Sequence, residues 1–224
     1  MQANSIELGF LSIFALITFF IFLFISKYSY KLNNGILLDQ DFSKPQAFHN
    51  ELVSRSGGVA SLIALFVFFI IYYLLFSKIL FEYIFVSSSL FFVGYLDDLK
   101  IRISPNIRLF LMIIFLITFI NILSIQIDNV DLIFLNTWLE NKIFSNIFVL
   151  LCFLFIINGA NLIDGFNGLL TINLIIINSV LLFFKFNNNQ LEFSIFLIGI
   201  IIILISFLLF NFPKAKIFLG DSGS

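Results

Sequence analysis

Four short polar clusters stand out because almost everything between them is hydrocarbon. The first runs from Lys44-Pro45-Gln46 through His49 to Arg55-Ser56-Gly57-Gly58, and the second is Gly94-Tyr95-Leu96-Asp97-Asp98-Leu99-Lys100. The third is Asn158-Gly159-Ala160-Asn161-Leu162-Ile163-Asp164-Gly165-Phe166-Asn167-Gly168, and the fourth is Phe218-Leu219-Gly220-Asp221-Ser222-Gly223-Ser224. Adjacent carboxylates at Asp97 and Asp98, at the end of an apolar stretch, repel each other and lose solvation, so they call for a cation or a raised pKa. That suits a metal or proton-transfer site; the plainer account is a solvated helix end with Lys100 and Arg102 as counter-ions. Asn158 and Asn161 are three apart and share one helix face. Asp164 continues that line, and Asn167 continues it again if the chain stays roughly helical. Such a row of oxygen-bearing side chains suits a hard cation and a nucleotide, whereas helix capping accounts for Asp164 or Asn167 only singly. Gly165 and Gly168 remove side chains where a ligand would approach the backbone. Asp221 brings a further carboxylate on a loop whose N–H groups could face phosphates, although Gly-Asp-Ser-Gly is also an ordinary turn. Gly57-Gly58 fits close helix packing as well as phosphate approach.

The elements that must position these clusters follow from composition. The chain has 224 residues, of which 61% are hydrophobic and 11% charged, with 34 Phe. A soluble domain is about 45–50% apolar and about 25% charged, so this chain lacks the polar surface to cover itself, and disorder is excluded by the same imbalance. A net charge of −1 argues against a nucleic-acid surface. The single Cys152 excludes an intramolecular disulfide framework or a cysteine zinc site. There is no Walker-type loop, Gly-x-Ser-x-Gly elbow or pair of zinc-binding histidines; His49 reads as a surface residue, and Asn173 and Asn178 as interhelical hydrogen-bonders. A helical span needs about 20 apolar residues, and seven stretches qualify, at about 7–26, 59–76, 79–96, 107–125, 143–163, 168–186 and 191–211. The expected fold is an all-α polytopic transmembrane helix bundle, one integral membrane domain over residues 1–224. The first stretch is too long, and too poor in preceding basic residues, for a cleaved leader.

The loops divide by charge. Lys27, Lys31, Lys44, Arg55, Lys100, Arg102, Arg108, Lys214 and Lys216 fall on one side; Lys78, Lys142 and Lys185 fall on the other, beside Asp128, Asp131, Glu140 and Glu192. The positive-inside rule places the first set in the cytoplasm and the N-terminus outside. Trp138, just before the fifth span, reads as an anchor at the outer interface. All four clusters then share the cytoplasmic side, where the spans could bring them into one cleft.

With these motifs the sequence resembles the polyprenyl-phosphate N-acetylhexosamine-1-phosphate transferases, the glycosyltransferase 4 family of older naming. The matches stand in family order: Arg55-x-Gly57-Gly58, Gly94-x-x-Asp97-Asp98, Asn158-x-x-Asn161-x-x-Asp164-Gly165-x-Asn167-Gly168 and Phe218-x-Gly220-Asp221-x-Gly223-Ser224. The Arg-x-Gly-Gly form is closer to the branch that starts O-antigen and teichoic-acid linkage synthesis than to the peptidoglycan MurNAc-pentapeptide transferases, which have a Thr-Met-Gly-Gly type sequence there. Asn167 stands where bacterial members often carry Asp. The family has ten or eleven spans and a later His-rich loop, so the resemblance implies that this chain is a fragment lacking the C-terminal part of the fold.

The resemblance implies an Mg²⁺-dependent phospho-glycosyltransferase of the EC 2.7.8 type, with Mn²⁺ as a substitute. It would move an N-acetylhexosamine-1-phosphate from a UDP-sugar such as UDP-N-acetylglucosamine to polyprenyl (undecaprenyl) phosphate, releasing UMP, as the first membrane step of cell-envelope glycan synthesis. Transfer of phospho-MurNAc-pentapeptide is the alternative within the family. Asp221 and Asn161 are then the metal ligands, and Asp97, with Asp98 beside it, positions or deprotonates the acceptor phosphate. Asp164 orients the nucleotide and Asn167 reads the uracil edge, with Asn158 on the same line. Lys44, Arg55, Lys100 and Arg108 neutralise phosphate charge. The implied setting is the bacterial inner membrane, with a homodimer as the assembly and no nucleic-acid partner. Ion-coupled transporters also carry intramembrane carboxylates, but usually near the bilayer midplane on broken helices, whereas these lie at helix ends. A non-enzymatic scaffold subunit would leave the four motifs unexplained.

Overall fold

The structure is a computed structural model, and it describes residues 5–29, 31, 36–39, 52–99, 101, 104–187 and 190–224. Among these are eight helices: α1 (Ser5–Tyr28), α2 (Gly57–Phe76), α3 (Phe81–Asp98), α4 (Pro105–Leu123), α5 (Ile133–Leu139), α6 (Lys142–Ile163), α7 (Leu169–Asn187) and α8 (Leu191–Asn211). Each of the seven apolar stretches is a helix. The short α5, which holds Trp138, was not anticipated, nor was the antiparallel pair of β1 (Leu38–Asp39) and β2 (Val53–Ser54). Among the described residues α1, α2, α4, α6 and α8 are long and apolar enough to cross a membrane, and α7 holds a shorter apolar run, Leu169–Lys185. The triple serine of α3 lowers its apolarity, but the Ser87 and Ser88 hydroxyls donate back to the Tyr83 and Ile84 carbonyls, which satisfies them within the helix. The chain is a multi-pass, all-α membrane protein.

Local chemistry sets the helix ends. Ser104 accepts from the Ile107 N–H and Pro105 opens α4, while the Asn141 side chain accepts from the Ile143 and Phe144 N–H groups to start α6. Helix α1 packs on α2 and α8, α7 lies along α8, and α3 and α6 each flank α4. With no water to expel between spans, association rests on close fit and dispersion. Phenylalanines supply it: Phe14, Phe22, Phe68 and Phe207 are buried, with ring centroids 5.3 Å apart for Phe14–Phe68 and 6.0 Å for Phe22–Phe207. Gly199 makes room for the Phe68 ring, which a Cβ there would strike. Asn178 donates to the Leu174 carbonyl within α7, not to a neighbouring helix.

The two ends of the bundle differ. One carries the Lys78–Glu192 ion pair at 2.7 Å and Trp138, exposed and edge-on to Phe134 and Phe144. The other gathers the polar clusters.

Candidate active site

The centre is assembled by the segment that follows α8. Ile217 makes a parallel bridge to Ser54, and the Phe218 N–H donates to the Ser54 carbonyl at 2.8 Å. The first N–H groups of a helix have no partner inside it. Those of Gly57 and Gly58 at the start of α2 donate to the Phe218 and Leu219 carbonyls, both at 2.8 Å. A Cβ on Gly57 would lie 2.6 Å from the Phe218 carbonyl oxygen, and one on Gly58 would strike the Ser222 hydroxyl. Of the two accounts of Gly57-Gly58, close packing is therefore the one observed, against the loop after α8 and, at Gly57, against the Phe207 ring of α8.

The same segment then turns through Gly220, at φ +77°, onto the end of α3. The Asp221 N–H donates to Asp98 Oδ1 at 3.0 Å and the Ser222 N–H to Asp98 Oδ2 at 2.9 Å. These two N–H groups face a carboxylate, not open space where a phosphate could sit. Asp98 is 1% exposed, and Gly94, one turn earlier on α3, lies so close beneath the Asp221 carbonyl that a Cβ would collide with it. Arg55 completes the latch, with Nη2 3.0 Å from Asp39 Oδ2 and Nη1 3.7 Å from Asp98 Oδ1. Burial opposes the charge on Arg55, but Asp39 first, then Asp98 and Asp221, outweigh it and raise its pKa.

Asp97, one residue earlier, points elsewhere, as the 100° step of a helix requires. Arg108 Nη1 lies 3.0 Å from Asp97 Oδ2 and 3.6 Å from Asp221 Oδ2, so one guanidinium on α4 bridges carboxylates from α3 and from the final loop. The Asp97 and Asp221 carboxyl groups are themselves in hydrogen-bonding contact. Burial, and then the Asp97 carboxyl, push Asp221 up to about 6. Asp164, just past the end of α6, accepts a hydrogen bond from the Gly220 backbone; burial and the charges of Asp221 and Asp98 push it up to about 7. Five carboxylates, Asp39, Asp97, Asp98, Asp164 and Asp221, thus converge on two arginines, and the negative charge is in excess.

The third cluster is only partly in line. Asn161 Oδ1 accepts from the Ser224 hydroxyl at 3.3 Å and so faces the final loop. Asn158 donates to the Leu154 carbonyl one turn back in α6. The helix stops at Ile163 and the chain reverses through Gly168, at φ +75°, so Asn167 leaves the row; it is exposed and donates to the Pro213 carbonyl at 3.1 Å. Lys44 and Lys100, with His49 and Arg102, lie outside the described residues. Two contributors were missed in the sequence. Asp39 is the partner of Arg55, and nothing in the sequence set it apart from Asp41 and Glu51 in the same loop. Asn211, 4% exposed at the end of α8, accepts from the Gly168 N–H at 2.6 Å and donates to the Ile217 carbonyl at 3.0 Å, tying the third cluster to the fourth.

The sequence profile described as glycosyl transferase family 4 matches residues 80–224, which hold Asp97, Asp98, Asp164 and Asp221. The chain belongs to glycosyl transferase family 4. Relatives point the same way. A phospho-N-acetylmuramoyl-pentapeptide-transferase of Bacillus subtilis (strain 168) is 29% identical over 187 residues, covering 75% of this chain and 56% of the relative. One from Clostridium perfringens (strain 13 / Type A) is 30% identical over 141 residues, 59% of this chain and 44% of the relative. One from Leuconostoc mesenteroides reaches 46% identity over 67 residues, 30% of this chain and 21% of the relative. The chain spans about half the length of the curated relatives it matches. These glycosyl transferase family 4 relatives carry the name of the peptidoglycan branch, whereas the Arg55-x-Gly57-Gly58 motif resembles the other branch.

Proposed function

We propose that this chain carries the reaction centre of an enzyme that transfers an N-acetylhexosamine-1-phosphate from a UDP-sugar to a membrane polyprenyl phosphate, releasing UMP. The reading rests on the Asp97–Asp221 pair bridged by Arg108, held at a bundle end where a lipid phosphate and a soluble nucleotide can meet. An oxygen of the acceptor phosphate forms a bond to the β-phosphorus of the donor; the bond from that phosphorus to the bridging oxygen breaks, and UMP leaves with that oxygen. Both reactants are anionic. A phosphate monoester has a second pKa of about 6, so Asp97 has more to do in orienting the acceptor than in removing its proton. Arg108, turned to both carboxylates, is placed to take phosphate charge as the reactants enter. Asp98, with both oxygens occupied by backbone N–H groups, is a positioning residue for the Asp221 loop. Asp164 and Asn167 are assigned to the nucleotide, and Lys44 and Lys100 to phosphate charge, on the resemblance alone.

The donor set fits a hard divalent cation. Among the described residues no three His, Cys, Asp or Glu side chains form a complete cage. Mg²⁺, however, commonly takes one or two carboxylates and completes its shell with phosphate oxygens and water. Asp221 would hold it, with the Asn161 amide oxygen, which already faces the same loop. When bound, such an ion offsets phosphate charge as a Lewis acid.

A cytoplasmic site and an outside N-terminus are supported by the basic asymmetry; the inner membrane and homodimerisation rest on the resemblance. A second reading, a donor bearing MurNAc-pentapeptide, is favoured by the names of the relatives. Membranes holding the intact gene product, given undecaprenyl phosphate, Mg²⁺ and either UDP-N-acetylglucosamine or UDP-MurNAc-pentapeptide, should release UMP with one of the two. Release from the pentapeptide donor alone selects the second reading. No release from either overturns both.

A further inference from the structure

Outside the carboxylate centre, a basic groove opens at the same end of the bundle. It has a volume of about 520 Å³ and is lined by Ser26, Lys27, Leu52, Val53, Lys214, Ala215 and Lys216. None of these residues belongs to the Asp97–Asp221 centre, and none of the seven is acidic. Lys27 lies in the last turn of α1; Lys214 and Lys216 follow the end of α8 within five residues, so the three ammonium groups sit where the spans leave the hydrocarbon. Their side chains are exposed, yet the backbone that carries them is held. The Lys216 N–H donates to the Phe210 carbonyl at 2.8 Å, and the buried Asn211 side chain donates to the Ile217 carbonyl next door. Leu52 and Val53 form the apolar wall.

We propose that this groove binds the phosphate-bearing headgroup of an anionic membrane phospholipid. The ligand chemistry is a phosphate ester with neighbouring acyl chains. Three ammonium groups answer the charge, and the apolar wall together with the exposed end of α1 answers the chains. Basic pockets between membrane helices, at the level where the helices end, take anionic headgroups in this way. Free phosphate would share the charge but would leave the apolar wall unused, so the lining favours the lipid. The site is independent of the reaction proposed above.

The experiment is thermal unfolding of the purified intact gene product in a neutral detergent, titrated with dioleoylphosphatidylglycerol, dioleoylphosphatidylcholine or inorganic phosphate. Phosphatidylglycerol should raise the midpoint by several degrees, and the other two should not. Each of Lys27→Ala, Lys214→Ala and Lys216→Ala should raise the lipid concentration giving half the shift by about five-fold, from about 1 kcal/mol per basic residue. The triple variant should lose the shift, the triple arginine variant should keep it, and Lys142→Ala at the other end of the bundle should respond like the parent. An equal shift with phosphatidylcholine, or an undiminished shift in the triple alanine variant, overturns the site. An equal shift with inorganic phosphate overturns the lipid assignment.

Discussion

At both ends of the bundle a carboxylate meets a cation from a distant part of the chain, yet the two meetings differ in kind. Lys78 and Glu192 join the end of α2 to the start of α8 with side chains 58% and 46% exposed. Asp98 joins α3 to the final loop with a side chain that is fully buried, and most of its partners are backbone N–H groups. An exposed pair can be lost to water at little cost, because water replaces each partner. A buried carboxylate whose partners are removed, or a pair of N–H groups that lose their carboxylate, finds no substitute. The motif end is therefore the end where single atoms matter, and its excess of negative charge is stored beside the groups that would handle phosphate.

The sharpest way to break this contrast is at Asp221. Asp221→Ala should lower UMP release by at least about a hundred-fold, and Asp221→Asn should do little better, since an amide oxygen lacks the charge a hard cation uses. Near-normal turnover of Asp221→Asn with the same Mg²⁺ dependence would move the metal role elsewhere. Next comes Asp98→Ala, which leaves the Asp221 and Ser222 N–H groups without their acceptor while Arg55 keeps Asp39; at about 1–3 kcal/mol for each such group, the fold should lose about 2–5 kcal/mol in detergent unfolding. A loss below about 1 kcal/mol would mean that the final loop is held by something other than this carboxylate.

Asn211→Leu should cost about 1–3 kcal/mol, because it leaves the Gly168 N–H and the Ile217 carbonyl unpaired. Asn211→Asp keeps the acceptor but sets a buried carboxylate against the Ile217 carbonyl, and at neutral pH should melt no higher than the leucine variant. Asp164 makes a pH-dependent test. Its folded pKa lies near 7 and its unfolded pKa near 3.9. Between those values the folded state holds a proton that the unfolded state has released, so stability falls as pH rises from about 4 to about 7. Asp164→Asn, whose amide oxygen can still accept from Gly220, should melt a few degrees above the parent at pH 8 in chelator and show no gain at pH 4. The smallest effect belongs to the opposite end: Lys78→Ala should change stability by less than about 1 kcal/mol, and less still at high salt.

The sequence reveals seven of the eight helices, because apolar runs mark them, although α3 is diluted by serines and α7 holds a shorter run than the five long spans. It also places Asp97, Asp98, Asp164 and Asp221 at one end, since Lys and Arg sort the loops by side. What it conceals is which neighbour each polar atom meets. Asp97 and Asp98 look alike in a string, yet one faces Arg108 and the other is sealed under the final loop. Asn167 falls in step with Asn158 and Asn161 only while the helix continues, and α6 ends at Ile163. Gly94 looks like a small residue near a helix end; that it admits the Asp221 carbonyl depends on a segment more than a hundred residues away. Asn211 is a lone amide at the end of a greasy span, and nothing in its neighbours' identities marks it as the tie between two loops.

The hydrogen bond from Asp221 to Asp98 joins residues 123 apart in the chain, and the Gly57 and Gly58 N–H groups wait still longer for Phe218 and Leu219. During synthesis every helix from α1 to α7 emerges before these partners exist. Non-local contacts of this kind close late, because the intervening chain must first be placed. The nascent protein therefore passes through a stage in which α2 has an uncapped start and Asp97 and Asp98 lie beside each other without the loop that separates their roles. The carboxylate cluster closes only once the segment after α8 is seated, so on the proposed function assembly and activation are linked, and a bundle truncated before α8 should be inactive.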